Sequence, residues 1–530
     1  MPTFEFDLKK LKDELKIEEN KKLAEIIESF KPEVEEISEN KIKVTITPDR
    51  CDLYFEEGFI KALKDYVFGG MIKKVEMENS GIKVYYKNVV RCRPYFSCFV
   101  VKDIKMNENL LKKIIEFQET LHKHLGRNRK LVAIGIHDLD KIEGSIRYSE
   151  ALPNEKMIPL TYGSELTLKE ILEITDKGKE YGKLIYEPYP AIYDEKSIIS
   201  FPPILNSEKT KLTTSTKNIF VDITGTDQRV VEIATKLLIY FFSFVGIPQK
   251  VYLNDEEFPK IENEIVRIKR SEVEKFLGIK LSVADIKNLL ERMGYECITL
   301  NEEDIDVVVP FYRVDILHKY DIFEDIAIAY GYNNIELKSL KVYTPGKIHE
   351  REELENKIRE VLIGMKFLEI ITPTLISKKV LEKSKIKDVT TKVLNPVSEE
   401  YEYLRNYLFP STLLFLSKNI AKEYPQNVFE IGYVVKNLDE YRHLCIALCY
   451  ENSNLAEMLS IIEELFKNLN LKVRFEESNL EYFIQGRQAY IIANEKIVGF
   501  VGEVHPEILE NFEIFMPITL AEINLSEILS

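Results

Sequence analysis

The chain has no tryptophan, no Cys-x-x-Cys pair, no long apolar run and fewer cations than anions. Each shortage excludes something. The most apolar stretch, residues 236–245, is far short of the roughly 18 residues that suggest a membrane span, so no membrane association is expected. Met1-Pro2-Thr3-Phe4 lacks a basic start followed by an apolar core, which argues against a secretory leader and for a cytoplasmic protein. The six cysteines (Cys51, Cys92, Cys98, Cys297, Cys445 and Cys449) are scattered and read as reduced thiols. With 73 Lys and Arg against 88 Asp and Glu, the net charge of −15 disfavours indiscriminate binding to nucleic acid. Any such partner must meet local basic patches or a positive surface on another subunit. No repeat or low-complexity tract stands out.

What is present is a folding composition, 45% hydrophobic and 11% aromatic, over 530 residues. That length exceeds a single core and predicts three or four domains. Local patterns supply elements. Residues 4–17 read as a short amphipathic helix and 41–47 alternate like a strand. A helix over 109–125 closes at Gly126 and exits through Arg127, Arg129 and Lys130, ahead of an apolar strand over 131–136 that ends at His137-Asp138. Thr167 and Glu170 form a capping-box pattern, and Asp227 can cap the apolar helix that runs to Val245.

Two stretches carry chemistry. From Asp321 the apolar residues Ile322, Ile326 and Ala329 recur at helical spacing, which puts Asp321, Glu324 and Asp325 on one face, with Asp315 just upstream. Four carboxylates without cysteine suit a hard ion such as Mg²⁺; alternatively, an acidic first turn complements the helix dipole and Asp315 is a turn residue. Residues 206–226 are dense in short polar groups, among them Asn206, Ser207, Thr210, Thr214, Asn218, Asp222 and Thr224. Such a stretch can line a polar-ended pocket or be a turn-rich loop whose hydroxyls cap backbone groups. No Ser-His-Asp set is apparent, although His137 is available.

Pro310, Tyr312, Arg313, Asp315, His318, Asp321, Glu324, Asp325, Gly331, Tyr332 and Asn334 together resemble the signature of phenylalanyl-tRNA synthetase β subunits, in the archaeal and eukaryal form. Pro48-Asp49-Arg50-Cys51-Asp52-Leu53, followed by Gly58 and Ala62, matches a looser family pattern, with Asp49 and Lys64 at variable places. The resemblance implies an α+β multidomain chain: an N-terminal α/β module (1–88), an editing, tRNA-deacylating α/β module (89–256), a small winged-helix-like, Mg-binding module (257–338) and a class II synthetase-like antiparallel sheet domain (339–530). In the last, Arg405 has no Arg-x-Glu after it and no Gly-rich third motif ending in Arg follows Gly486, so a domain lacking its catalytic motifs is expected. Arg487 and His505 are given no catalytic role.

The implied activity is that of a subunit. Phenylalanine–tRNA ligase attaches phenylalanine to tRNA(Phe) with ATP and Mg²⁺ in an (αβ)₂ heterotetramer. The α subunit carries adenylation; the β chain scaffolds it and hydrolyses mischarged Tyr-tRNA(Phe). A phenylalanine-shaped pocket rejects an added hydroxyl by only about 10²-fold, whereas one built to hydrogen-bond that hydroxyl can discriminate by about 10⁴–10⁵-fold. The resemblance assigns Mg²⁺ to Asp315, Asp321, Glu324 and Asp325. For editing, Asn218 or Asp222 is expected to read the phenol, with Leu205, Thr214 and Thr224 lining the pocket. The competing expectations are a non-enzymatic, synthetase-derived adaptor for nucleic acid or protein and, more remotely, a stand-alone metal hydrolase.

Overall fold

The computed structural model describes residues 1–86, 90–299, 301–339, 344–387 and 391–529, and it divides into two compact units, Met1–Ser339 and Leu340–Ser530. The module boundary expected at 88/89 falls outside the described residues.

In the first unit, Lys41–Thr45 is the middle strand of a three-stranded sheet, flanked by Thr3–Asp7 and Glu33–Ile37. Its alternation is the cause: Ile42 and Val44 are buried, while Lys41 and Lys43 face water. Residues 4–7 differ from the helix expected there. They pair with residues 41–44 as a strand, and the helix Leu8–Leu15 starts only where the Asp7 side chain accepts from the Lys10 amide. A partner strand distant in sequence overrides the local amphipathic spacing.

A large mixed sheet follows. Its strands run in the order Leu205–Asn206, Ile198–Phe201, Tyr189–Tyr193, Ile146–Ala151, Asn79–Tyr86, Ile247–Leu253, Tyr95–Lys102, Ile219–Gly225, Val132–Asp138, with Glu256–Phe258 paired to Ile247–Leu253. The two ends of this order approach one another: the Asn206 amide donates to the Ile136 carbonyl at 3.4 Å. Helices Glu108–Lys123, capped by Asn107, and Gln228–Phe242, capped by Asp227, supply Ile114, Phe117, Leu121 and residues 237–242 to the core on one face. The capping box at Thr167 and Glu170 forms as expected.

Helices Arg270–Leu277 and Val283–Arg292 then pack with a three-stranded antiparallel sheet, Glu264–Lys269, Asp304–Val309 and Glu296–Thr299, and with the helix Lys319–Tyr330. One continuous core runs from Phe6 through Phe99 and Phe241 to Ile326, so residues from all three expected N-terminal modules share it.

The second unit is built on a seven-stranded sheet in the order Leu368–Glu369, Gln426–Lys436, Asp439–Cys449, Ile518–Asn524, Lys496–Val504, Phe483–Ala493, Val473–Glu477. It is antiparallel except at the first pair. Helices Glu350–Gly364 and Leu455–Asn468 cover one face, and Lys378–Lys383, Phe409–Lys418 and Pro506–Asn511 the other. Cys445 and Cys449 are buried on a strand, and all six cysteines are free thiols.

Candidate functional site

A cavity of about 390 Å³ opens where the ends of the large sheet approach each other. Ala133, Ile134, Gly135 and Ile136 form one wall, Pro202 to Asn206 another, and Leu111 and Ile115 a third. At the mouth stand exposed groups, Ile115, Glu119, Thr161, Lys177 and Lys211; at the closed end lie Thr210 and Asp222, each 1% exposed. The walls are largely apolar, and polar atoms concentrate at the bottom.

Strand register builds that bottom. Asp222 is opposite Gly135 on one neighbour and Cys98 on the other. A Cβ at Gly135 would fall 1.9 Å from Asp222 Oδ2 and 2.9 Å from His137 Nε2, so only glycine lets the carboxylate lie across that strand. Asp222 Oδ2 is 2.8 Å from His137 Nε2, and His137 Nδ1 is 2.8 Å from Thr210 Oγ1. A hydroxyl–imidazole–carboxylate chain therefore exists where the sequence shows no such set. The signal for it was a single histidine in the otherwise apolar run VAIGI, two residues after a glycine.

Of the residues expected in the pocket, Leu205 and Asp222 line it, whereas Thr214, Asn218 and Thr224 are not among its lining residues. Thr214 is exposed, and the Asn218 side chain donates to Asp140 at 2.8 Å. Thr224 is buried and accepts from Arg93 Nε at 3.2 Å. Strand alternation keeps Thr224 on the inner face with Asp222, but the fully buried Arg93 occupies its hydroxyl. Thr210, Gly135, Asn206 and Ser200 are the polar or small positions that take part instead.

The rim is held by charge. Arg129 is buried rather than solvated: it donates to the Pro203 and Ile204 carbonyls and, at 2.7 Å, to Glu119. Burial alone would raise Glu119, but the hydrogen bond from His122 and the Arg129 charge outweigh it and hold the carboxyl at about 2. His122 in turn accepts from the Ile134 amide, which pins the pocket wall to its helix.

The four acids near the other signature do not gather into one oxygen shell. Among the described residues no group of three or more His, Cys, Asp or Glu could hold a metal ion. Arg313 Nε and Nη2 clamp both oxygens of Asp315 at 2.9 and 2.7 Å, and Nη2 also reaches Asp325 at 2.6 Å. Desolvation opposes ionisation of Asp315, yet the Arg313 charge and hydrogen bonds keep its carboxyl below the usual range. Tyr295 donates to Asp325 at 2.5 Å. Asp321 closes a capping box and accepts from the Leu317 and His318 amides, and Glu324 is exposed, 3.5 Å from Lys31. The signal was in the sequence as the Arg-x-Asp spacing of Arg313 and Asp315, but a reading of the acids by helical face passes over it; that Arg313 also reaches Asp325, twelve residues on, was not legible.

The first signature repeats the device: Arg50 clamps Asp52 at 2.9 and 2.8 Å in a buried Arg-x-Asp pair. Its two variable positions are both paired, Asp49 with Lys31 and Lys64 with Glu14, each at 2.8 Å.

In the second unit, Arg405 is 2% exposed and spent internally. It donates to Glu430 at 2.9 Å, the Tyr433 carbonyl at 2.9 Å and the Thr372 hydroxyl at 2.7 Å. A Cβ at Gly432 would fall 2.4 Å from its Nη2, so the close fit needs glycine. Rings of Tyr407, Phe409, Tyr482, Phe483 and Phe500 cluster on the same side of the sheet. An open cavity of about 830 Å³ in this unit is lined by Lys378, Lys379, Lys383 and Lys418 with glutamates, and by no arginine. Arg487 pairs with Glu503, and His505 caps a helix.

Comparison with known proteins agrees with a synthetase origin. Residues 103–241 match the B3/4 domain, 266–332 the tRNA synthetase B5 domain and 338–525 the phenylalanyl tRNA synthetase beta chain CLM domain. Phenylalanine–tRNA ligase beta subunits of Archaeoglobus fulgidus (37% identical, 93% of both chains) and Sulfurisphaera tokodaii (36%, 100% of this chain and 99% of the relative) are similar along nearly their whole length. An N-terminal fragment of the phenylalanyl-tRNA synthetase β-subunit from Pyrococcus horikoshii superimposes with a TM-score of 0.58 at 32% identity, covering 62% of this chain and 99% of the fragment. These matches define an aminoacyl-tRNA synthetase subunit. Within that class, the chain belongs to the phenylalanine–tRNA ligase beta-subunit family.

Proposed function

We propose that this chain scaffolds a catalytic α subunit and proofreads its product, releasing tyrosine from mischarged tRNA(Phe). The observation that carries the proofreading role is the 390 Å³ pocket, apolar along its walls and polar at its closed end. That is the form of an aromatic side chain with a para hydroxyl. Asp222 reads the phenol, Leu205 and Ile204 flank the ring, and the ester lies toward the mouth. Lys177 and Lys211 there suit the phosphates of a tRNA acceptor end. Hydrolysis of an activated ester needs an oriented water more than a nucleophile.

Adenylation belongs to the α subunit, which holds ATP, because Arg405 is locked to Glu430 and cannot grip phosphate. The α subunit docks on the unpaired edge of the seven-stranded sheet, where Ile363, Leu368 and Ile371 are 57%, 63% and 91% exposed, and two such pairs form the heterotetramer. Mg²⁺ is usually held by one or two carboxylates and water. In this arrangement the acids are engaged otherwise, Asp315 and Asp325 by Arg313, Asp321 by the Leu317 and His318 amides and Glu324 facing Lys31, so an ion would be held by them only where those partners are displaced. When bound, the ion supplies positive charge at the acidic patch.

The test is deacylation by the chain purified with its α partner. Tyrosine is released from Tyr-tRNA(Phe) while phenylalanine stays on Phe-tRNA(Phe); equal release of both, or of neither, refutes proofreading. Mg²⁺ titration separates the acids: Glu324→Gln weakens binding, and a ligand role for Asp315 requires Asp315→Asn to weaken it as much.

A further inference from the structure

Arg313 belongs to two groups of carboxylates. Its Nε and Nη2 hold both oxygens of Asp315, and Nη2 also holds Asp325 at 2.6 Å. Arg313 is 4% exposed, and its third nitrogen, Nη1, is buried with no acceptor among the described residues. The guanidinium therefore leaves donors unused where it stands. Arg313 also lines a separate cavity of about 200 Å³, together with Glu232, Glu262 and Glu264 and with Arg229 and Lys236. Glu262 and Glu264 are exposed, and among the described residues neither carboxylate has a hydrogen bond or an ion pair. Without Arg313 that lining sets three carboxylates against two cations.

We infer that Arg313 is an internal counter-ion that competes with a divalent cation for Asp315 and Asp325, and that the glutamate-lined cavity receives its charge when the cation enters. The inference rests on the reading of these acids as a Mg²⁺ site and states the condition for it. Mg²⁺ takes carboxylate oxygens at about 2.0–2.1 Å. The oxygens it needs are those that Nε and Nη2 fill, and a guanidinium in contact with them repels a second cation. The two occupants exclude each other. Departure of Arg313 alone is unfavourable, because it leaves two buried carboxylates without a counter-ion. Exchange is different. The ion replaces the charge that Arg313 removes, Tyr295 keeps its 2.5 Å hydrogen bond to Asp325, and Arg313 balances the third glutamate of the cavity. The acids are thus neutralised from within when no ion is present, and the same side chain sets the affinity for one.

The experiment measures Mg²⁺ binding by calorimetry on the αβ complex without nucleotide, alongside the melting temperature with and without the ion. Loss of the binding heat in Glu324→Gln identifies the site. Arg313→Met, which removes the competitor, binds Mg²⁺ roughly tenfold tighter than wild type. It melts lower than wild type in EDTA, and Mg²⁺ raises its melting temperature by more than it raises that of wild type. Arg313→Lys keeps the charge without the two-pronged grip, so its affinity falls between the two. Glu262→Gln combined with Glu264→Gln removes receiving charge and weakens Mg²⁺ binding, but has no effect in the Arg313→Met background. Affinity in Arg313→Met equal to or below that of wild type overturns the competition, and Arg313→Lys decides the same point if the methionine variant does not fold. An equal loss from the glutamate changes in both backgrounds rejects the part given to the cavity. No saturable Mg²⁺ binding in any of these complexes refutes the Mg²⁺ reading itself, whereas equal binding by wild type and both Arg313 variants leaves that reading standing and ends the inference.

Discussion

Gly135 and Gly432 act by what they lack. Each leaves room for a buried ionic group to cross a strand, Asp222 in one unit and Arg405 in the other. Gly135→Ala is expected to push the Asp222 carboxylate away from His137 and to slow tyrosine release at least tenfold, with circular dichroism unchanged. The Arg405–Glu430 pair makes a sharper prediction. Glu430→Gln leaves a buried guanidinium without its counter-ion and should cost about 3–5 kcal/mol in urea unfolding, whereas Arg405→Met combined with Glu430→Gln should recover much of that. Glu119 carries a pH dependence. Its folded carboxyl, at about 2, lies below the ordinary 4.5, so its stabilisation is complete above 4.5 and is lost as pH falls through about 2. Glu119→Gln should flatten the acid dependence of the melting temperature in that window.

Among the elements, those with strong periodicity or caps were legible in the chain. The alternation around Ile42 and Val44, the Thr167–Glu170 box and the Asp227 cap all appear as the sequence reading expects. Residues 4–7 were misread: Phe4 and Phe6, two apart, share one face of a strand and not of a helix, and the strand that pairs with them lies nearly forty residues on. The pocket stretch was legible as a region and not by residue. Density of short polar residues marks it, but which polar side chain faces the cavity depends on Arg93, Asp140 and His137, none of them within it. The edge strand Leu368–Glu369 is the element to perturb for assembly. Leu368→Asp with Ile371→Asp should abolish co-elution with the α subunit while leaving the chain's own melting temperature within a few degrees, since both side chains are exposed.

Across the whole molecule, a net charge of −15 opposes a polyanion, and the basic groups at the pocket mouth are few. The isolated chain should therefore bind tRNA(Phe) weakly, and the complex should bind it tighter with a steeper dependence on salt, measured as the slope of log affinity against log salt. A slope for the isolated chain equal to that of the complex would place the phosphate contacts on this subunit instead. At this scale the exposed apolar side chains at the sheet edge and the internally neutralised Arg405 both favour the proposed role, a subunit that leaves phosphate binding to its partner.

By itself the sequence determined composition, charge, the class of each periodic element and, through long signatures, the family. Those depend on residues near one another in the chain or on a pattern long enough to be specific. Tertiary structure alone decided which charges neutralise which. Arg313 reaches Asp325, Arg405 finds Glu430, and His137 joins Thr210 to Asp222 across 73 and 85 residues. A buried charge must have its partner at hydrogen-bond distance, and only the folded chain sets that distance.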